Sequence, residues 1–425
     1  MATFNAEVFS NEFLAEGATD VHAIVQVECR GAGTAGTGGG GAAAEIVIID
    51  TSGSMTGEKL AAAKQAASVA IDRIVDGTWF AVIGGSHVAQ RIFPYPNARM
   101  AMVPMERSAR IEAQRAIASV RATGGTAMST WLALADETFS AASTTQRHAI
   151  LLTDGKNESE PTDQLRRVLA GVEGHFQCDA RGVGQTWVVS ELRDIASTLL
   201  GEVALIADPA DLAADFDAVM RMSMARGVPE VRMRVWTPQG ASLLFVRRVA
   251  PTVEDLTPKA VVVSELIREI PTGSWGDEGR DYHVAVRVPS RPIGSEQLAA
   301  RFQVVVNSQV QASALIKARW SSDANLTARI NPEVAHYTGQ AELAQAIQEG
   351  LAAKAAGDEG TATVRLGRAV QLAHQTGNDE ATQRLRKVVD VDDQERGTVR
   401  LRREATKLDE MALDTGSTKT SRVRR

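Results

Sequence analysis

Residues 44–60, AEIVIIDTSGSMTGEKL, decide how this chain is read. An apolar run from Ile46 to Ile49 stops abruptly at Asp50. Ser52 and Ser54 follow around Gly53, and a helical pattern begins soon after. A continuous apolar run bounded by turn residues is the mark of a strand buried on both faces. A carboxylate and two hydroxyls at alternate positions therefore stand at the rim of a buried strand.

Outward from that stretch, strands and helices alternate. A helix is expected over 58–75 and a strand pair at WFAVIGG and VAQRIFP. Helices are expected over 107–121 and 129–141. A second strand, HAILLTD, also ends in an aspartate, Asp154. A helix near 162–172, the strand FQCDARGVG, a helix near 190–200, the strand EVALIA and a helix near 210–224 follow. This alternation predicts a mostly parallel sheet covered on both faces, an α/β doubly wound, Rossmann-like domain over 45–226.

In such sheets ligands gather at the carboxyl ends of the strands. Asp50 and Asp154 sit at that rim, and the loop ATGGTAMST adds Thr126 after a double glycine. Two carboxylates and three hydroxyls, Asp50, Ser52, Ser54, Thr126 and Asp154, form an oxygen-only donor set. That set suits a hard cation, Mg²⁺ or Mn²⁺. The competing reading of each element alone is a helix N-cap.

The flanks have different patterns. Residues 1–30 read as strands, with VHAIVQVEC alternating at a period of two. Residues 31–44 are a Gly/Ala-rich connector, expected at the surface. Residues 227–322 read as all-β. A lone pair of strands is marginal in water. Residues 1–30 are therefore expected to join 227–322 in one β-sandwich, with the α/β domain inserted between them. Residues 333–412 read as amphipathic helices with Gly, Asn and Asp stops. Residues 413–425 are expected to be a polar, basic, disordered tail. Thr418 and Thr420 there are candidate phosphorylation sites beside Lys419, Arg422, Arg424 and Arg425. The matching partners would be a basic-directed kinase and a phosphothreonine reader of the FHA type.

Bulk properties narrow the function. The 425 residues are too many for one ordinary core. A net charge of −6 argues against a nucleic-acid grip, which rests on a basic field. Cys29 and Cys178 have no metal-clip spacing and are expected to be small buried hydrophobes. The N-terminus lacks the basic and apolar regions of a signal peptide, and no run of 18 apolar residues could span a membrane. A cytoplasmic location is the expectation.

DTSGSM, GGT and LLTDG together resemble the von Willebrand factor A (VWA) family and its metal-ion-dependent adhesion site. The family pattern is Asp-x-Ser-x-Ser, then Thr, then Asp, and Asp50, Ser52, Ser54, Thr126 and Asp154 fill its places. The resemblance implies a bound divalent ion whose open position takes an Asp or Glu of a partner protein. It implies a non-enzymatic adaptor or assembly factor. The flanks look like a cytoplasmic actinobacterial subgroup that tends to accompany Ser/Thr kinases, phosphatases or FHA proteins. Two alternatives stand beside this reading. In one, the helical segment and tail bind partners without metal. In the other, the chain is a Mg²⁺-dependent phosphatase, but those enzymes carry a second Asp as general acid where this chain has Ser52. A phosphate-binding P-loop is absent, and His87 and His148 are expected to be surface or strand residues.

Overall fold

The strand Ala43–Asp50 is buried along its whole length in the computed structural model, which describes residues 2–36, 42–420 and 422. It lies at the centre of a sheet, between Gln146–Thr153 and Trp79–Gly85, parallel to both. Gln177–Val183 and Val203–Ile206 extend the sheet in parallel beyond Gln146–Thr153. Gln90–Phe93 closes the other side antiparallel, and Val103–Pro104 pairs with the start of Trp79–Gly85. The near-continuous Ile and Val of the central strand are what burial on both faces requires.

Helices Glu58–Arg73, Arg107–Ser119 and Leu212–Met224 contribute to one shared apolar cluster with the sheet. The first helix presents Ala63, Ala66, Ala67, Ala70 and Ile71, small side chains that let a helix backbone come close. Helices Met128–Ser140, Gln164–Val172 and Val189–Thr198 complete the alternation. Over Gly85, at the end of its strand, lies the Trp131 indole. A Cβ there would come within 2.3 Å of the ring, so helix Met128–Ser140 seats only on glycine.

The chain divides into two compact units, and this α/β unit comprises the described residues of 31–230 and 273–277, with Ala2. The short return at 273–277 is fixed by Ser274, whose backbone N–H donates to Gln177 Oε1 (2.9 Å), and by a two-way backbone pairing of Val228 with Trp275.

The second unit is a β-sandwich with a helical extension. One sheet has the order Thr3–Ser10, Asp20–Arg30, Gly279–Arg287, Ser242–Ala250, Glu254–Asp255. Asp20–Arg30 pairs antiparallel with Gly279–Arg287 from Glu28↔Gly279 to Asp20↔Arg287, so the strands that precede the α/β unit are bonded to strands that follow it. The other sheet runs Val261–Ser264, Ile267–Pro271, Val231–Trp236, Glu296–Val306, Gln309–Trp320, Phe13–Leu14. Helices Pro332–Ala355, Glu359–Gln375 and Asp379–Val388 follow and share an apolar cluster around Leu343, Ile347, Leu366 and Leu385.

Three expectations need correction. The 333–412 segment is not purely helical: Val389–Asp393 and Thr398–Leu401 form a hairpin. The 413–425 tail is not wholly disordered. Helix Lys407–Gly416 runs into it, started by a capping box in which Thr406 and Asp409 bond reciprocally. Beyond the helix, Val253 donates its backbone N–H to Thr418 O (2.7 Å), and Thr420 donates its own to Pro251 O (2.9 Å). The connector is not simply a surface segment either, because Ala32 and Ala35 are buried. Residues 37–41 of it lie outside the described residues.

Candidate functional site

Three loops meet at the carboxyl end of the central strand. The first follows Asp50, the second carries Thr126, and the third begins at Asp154. Backbone bonds join the first two: Gly53 N–H donates to Gly124 O and Thr123 N–H to Thr51 O, each at 2.7 Å. The third loop grips the second. Thr126 N–H donates to Ser159 Oγ (3.0 Å), and Ser159 returns its own N–H to Thr126 O (2.9 Å). Met128 N–H donates to Asn157 Oδ1 (2.8 Å) and Ser129 N–H to Glu160 Oε1 (3.1 Å). Loop three thus satisfies the first free amides of helix Met128–Ser140, which has no side-chain cap of its own.

Within this frame the oxygens are tightly ordered. Asp50 Oδ1 accepts Ser52 N–H (2.7 Å), and Asp50 Oδ2 accepts the Thr153 hydroxyl (2.6 Å). Ser52 Oγ and Ser54 Oγ lie 3.0 Å apart, and Ser54 donates to Asp154 Oδ1 (2.6 Å). Thr126 joins them across Gly155. A Cβ on Gly155 would stand 3.1 Å from Thr126 Oγ1, 3.6 Å from Ser54 Oγ and 4.0 Å from Asp50 Oδ2. Oxygens of the first and second loops therefore surround a point on the third, and the missing side chain keeps that point open. The N-cap alternative fails for the first loop, because helix Glu58–Arg73 is preceded by Gly57 and has no side-chain cap.

Asp50 and Asp154 are fully buried, while Ser54 is exposed and opens the cluster to solvent. Burial pushes the Asp50 carboxyl up, and the Asp154 charge adds to that, while Ser52 and Thr153 pull it down. A cation at this place would relieve two crowded carboxylates. Lys59 partly does so: its Nζ lies 2.5 Å from Asp154 Oδ2. Among the described residues no group of three or more His, Cys, Asp or Glu could hold a metal, so a metal here would depend on hydroxyls as well as carboxylates. Such oxygen donors suit Mg²⁺ or Mn²⁺ chemically. Beside this cluster, helices Gln164–Val172 and Val189–Thr198 border a groove of about 680 Å³ that reaches Asn157.

The sequence reading missed several contributors. Thr153, Asn157, Ser159 and Glu160 bind the loops from within or beside the LLTDG stretch, where polar density alone gave no direction. Lys59 carried a usable signal, since a cation in the first turn of a helix opposes the helix dipole and calls for an acidic partner.

Of the two tail threonines, Thr420 donates its hydroxyl to Val249 O (2.5 Å), whereas the bond of Thr418 is through its backbone O, which accepts from Val253 N–H. Of the histidines, His87 is exposed and its ring lies against Gly124. His148 is buried between Glu45 Oε2 (2.7 Å) and Asp179 Oδ2 (3.0 Å). Ser223 donates its hydroxyl to Glu45 (2.5 Å), not to the imidazole, so the cluster lacks a serine–histidine nucleophile pair. It lies near the amino ends of the strands, remote from the three loops. Cys29 and Cys178 are both buried and in no disulfide, and burial pushes the Cys178 thiol up.

Comparison with known proteins agrees with this architecture. Residues 44–204 match the family model of the von Willebrand factor type A domain, and residues 371–417 match that of a von Willebrand factor type A C-terminal domain. A solved von Willebrand factor type A structure from Catenulispora acidiphila is 43% identical, with a TM-score of 0.93 over 99% of this chain and 97% of that one. The ArnB paralog VWA2 from Sulfolobus acidocaldarius, 15% identical, shares the fold with a TM-score of 0.58, over 99% of this chain and all of that one. An uncharacterised Synechocystis protein is 27% identical over 217 residues, which is 50% of this chain, and the chain spans about half of that relative's length (49%). The chain belongs to the von Willebrand factor type A family.

Proposed function

We propose that this chain is a non-enzymatic, divalent-metal-dependent interaction module, an adaptor or assembly factor working in the cytoplasm. VWA domains commonly mediate protein–protein interaction and are generally non-catalytic. Mg²⁺ or Mn²⁺ would be held by Asp50, Ser52, Ser54, Thr126 and Asp154, and the partner would present an Asp or Glu. The observation that carries this is the open point beside Gly155 of the third loop, which faces oxygens of Asp50 and Ser54 from the first loop and its strand end and of Thr126 from the second.

When bound, the ion supplies a positive centre able to accept a partner's carboxylate. The protein's own residues prepare that centre. Thr153 and the Ser52 amide fix the Asp50 carboxylate. Ser54 orients Asp154, and the Ser159 clamp holds the Thr126 loop. The hydroxyls in the donor set are neutral and add no further negative charge to that of the two carboxylates, so the ion can still accept an anion as a ligand. The cytoplasmic reading is supported by two buried cysteines that form no disulfide; among the described residues no helix is long and apolar enough to cross a membrane.

The test is calorimetric titration of Mg²⁺ and Mn²⁺ into wild type, Asp50→Ala and Asp154→Ala, followed by partner co-purification from the source cells with and without EDTA. The expected outcome is ion binding by wild type alone, and a set of co-purifying proteins lost with both EDTA and the substitutions. Equal ion binding by all three proteins, or capture insensitive to EDTA, would overturn the reading.

A further inference from the structure

Lys59 lies in the first turn of helix Glu58–Arg73, where its charge opposes the helix dipole. It is drawn there by Asp154, whose side chain is fully buried while that of Lys59 is 34% exposed. The other oxygen of Asp154 accepts from Ser54. Among the charged groups of the cluster, two carboxylates, Asp50 and Asp154, face one ammonium. We propose that Lys59 sets the charge of this site and exchanges metal affinity for carboxylate affinity. This rests on the metal reading proposed above.

The argument is arithmetic of charge. As ionised groups, Asp50, Asp154 and Lys59 sum to minus one. A divalent ion brings the cluster to plus one, and a single partner carboxylate then neutralises it. Without Lys59 the empty cluster would carry minus two and the loaded one zero. The ion would be held more tightly, because a like charge has gone from beside it. The carboxylate would be held less tightly, because the loaded site would no longer be cationic. Charges a few ångströms apart in a partly buried setting interact strongly enough to move each affinity by about tenfold. Lys59 is thus a residue that selects for acidic ligands through the charge of the loaded site.

The test uses the full-length protein as wild type, Lys59→Met, Lys59→Gln and Lys59→Arg, with folding checked by circular dichroism. Lys59→Gln keeps a polar side chain at this half-buried position if methionine is poorly tolerated. Mn²⁺ affinity is read from free-ion electron paramagnetic resonance. Carboxylate affinity is read from relaxation of ¹³C-acetate by the bound Mn²⁺. Removal of the charge should tighten Mn²⁺ by at least about tenfold and weaken acetate several-fold, with Lys59→Arg near wild type. Unchanged or weaker Mn²⁺ binding in both neutral variants overturns the proposal. So does acetate binding that fails to weaken. A wild-type protein that binds no Mn²⁺ at all removes the metal reading itself, which separates that failure from failure of the role of Lys59.

Discussion

At the scale of single residues, His148 has the sharpest energetic consequence. Burial pulls its imidazole down, but Glu45 and Asp179 together more than reverse that and push it up to about 9. Burial likewise raises the Asp179 carboxyl, and the His148 and Arg181 charges outweigh it, holding the group well below its usual range. The sign for His148 follows from linkage. Its stabilisation is complete below the ordinary value of 6.5 and is lost as pH rises through about 9. The contribution of Asp179 is complete above 3.8 and fades only as pH falls through its lowered folded value. His148→Gln should therefore cost about 3–5 kcal/mol near pH 6, the scale of breaking a buried ion pair. That deficit should shrink by pH 9.5 in urea unfolding of both proteins, and a gap independent of pH would contradict the assignment. Nothing in the sequence announced this cluster, because Glu45, His148 and Asp179 sit on three strands and are joined only by register. Asp50, Ser52 and Ser54 were legible for the opposite reason: they are near neighbours in the chain, at a strand end whose chemistry the topology dictates. Lys59 offered only its unfavourable place in the first turn of a helix, which calls for an acidic partner without naming it, since the carboxylate that holds it lies 95 positions away.

At the scale of elements, the docking of helix Met128–Ser140 carries Thr126 into place. Trp131 covers Gly85 and donates its indole N–H to Ser86 O (2.6 Å). Gly85→Ala would put a methyl group into the ring and force the helix away. A loss of about 1–3 kcal/mol is expected, as for other overpacked cores. The Thr126 amide should also lose protection in hydrogen exchange, because the clamp from Ser159 can no longer close on it. Unaltered exchange at Thr126 would show that the helix and the loop move independently. The helices of this unit were readable from their periodicity and its central strands from continuous apolar runs, whereas the two-residue strand Val103–Pro104 is too short to show either. Val261–Ser264 with Ile267–Pro271 was not, because its first strand is exposed at every residue and shows no alternation. The hairpin Val389–Asp393 with Thr398–Leu401 was hidden by charge, with acids on one strand answered by arginines such as Arg400 on the next. Helix Lys407–Gly416 buries only Met411, Leu413 and Thr415, a stripe too short to distinguish from a polar tail.

At the scale of the whole chain, the C-terminal residues have structural work in the sandwich unit. The Arg422 guanidinium bonds Asp281, a fully buried carboxylate that also accepts from the Tyr337 hydroxyl (2.5 Å). Arg422→Ala would take the charged partner from that carboxylate and leave it the neutral tyrosine hydroxyl. A loss of about 2–3 kcal/mol is expected, somewhat below that for a fully buried pair because Arg422 is partly exposed. In calorimetry only the transition of the sandwich unit should fall, and a matching fall in the α/β unit would show that the two units unfold together. The insertion itself was legible because strands at 1–30 had to find partners, whereas the docking of residues 418, 420 and 422 depends on single bonds that no periodicity announces. The pairing of Glu28 with Gly279 has a consequence for biosynthesis. At about 5–20 residues per second, the roughly 250 residues between them take on the order of 10–50 s to emerge from a ribosome. For that interval the first hairpin has no third strand, and the α/β unit has its principal segment complete before the sandwich can close. The chain therefore matures from the inside outward, with its earliest residues among the last to find their place.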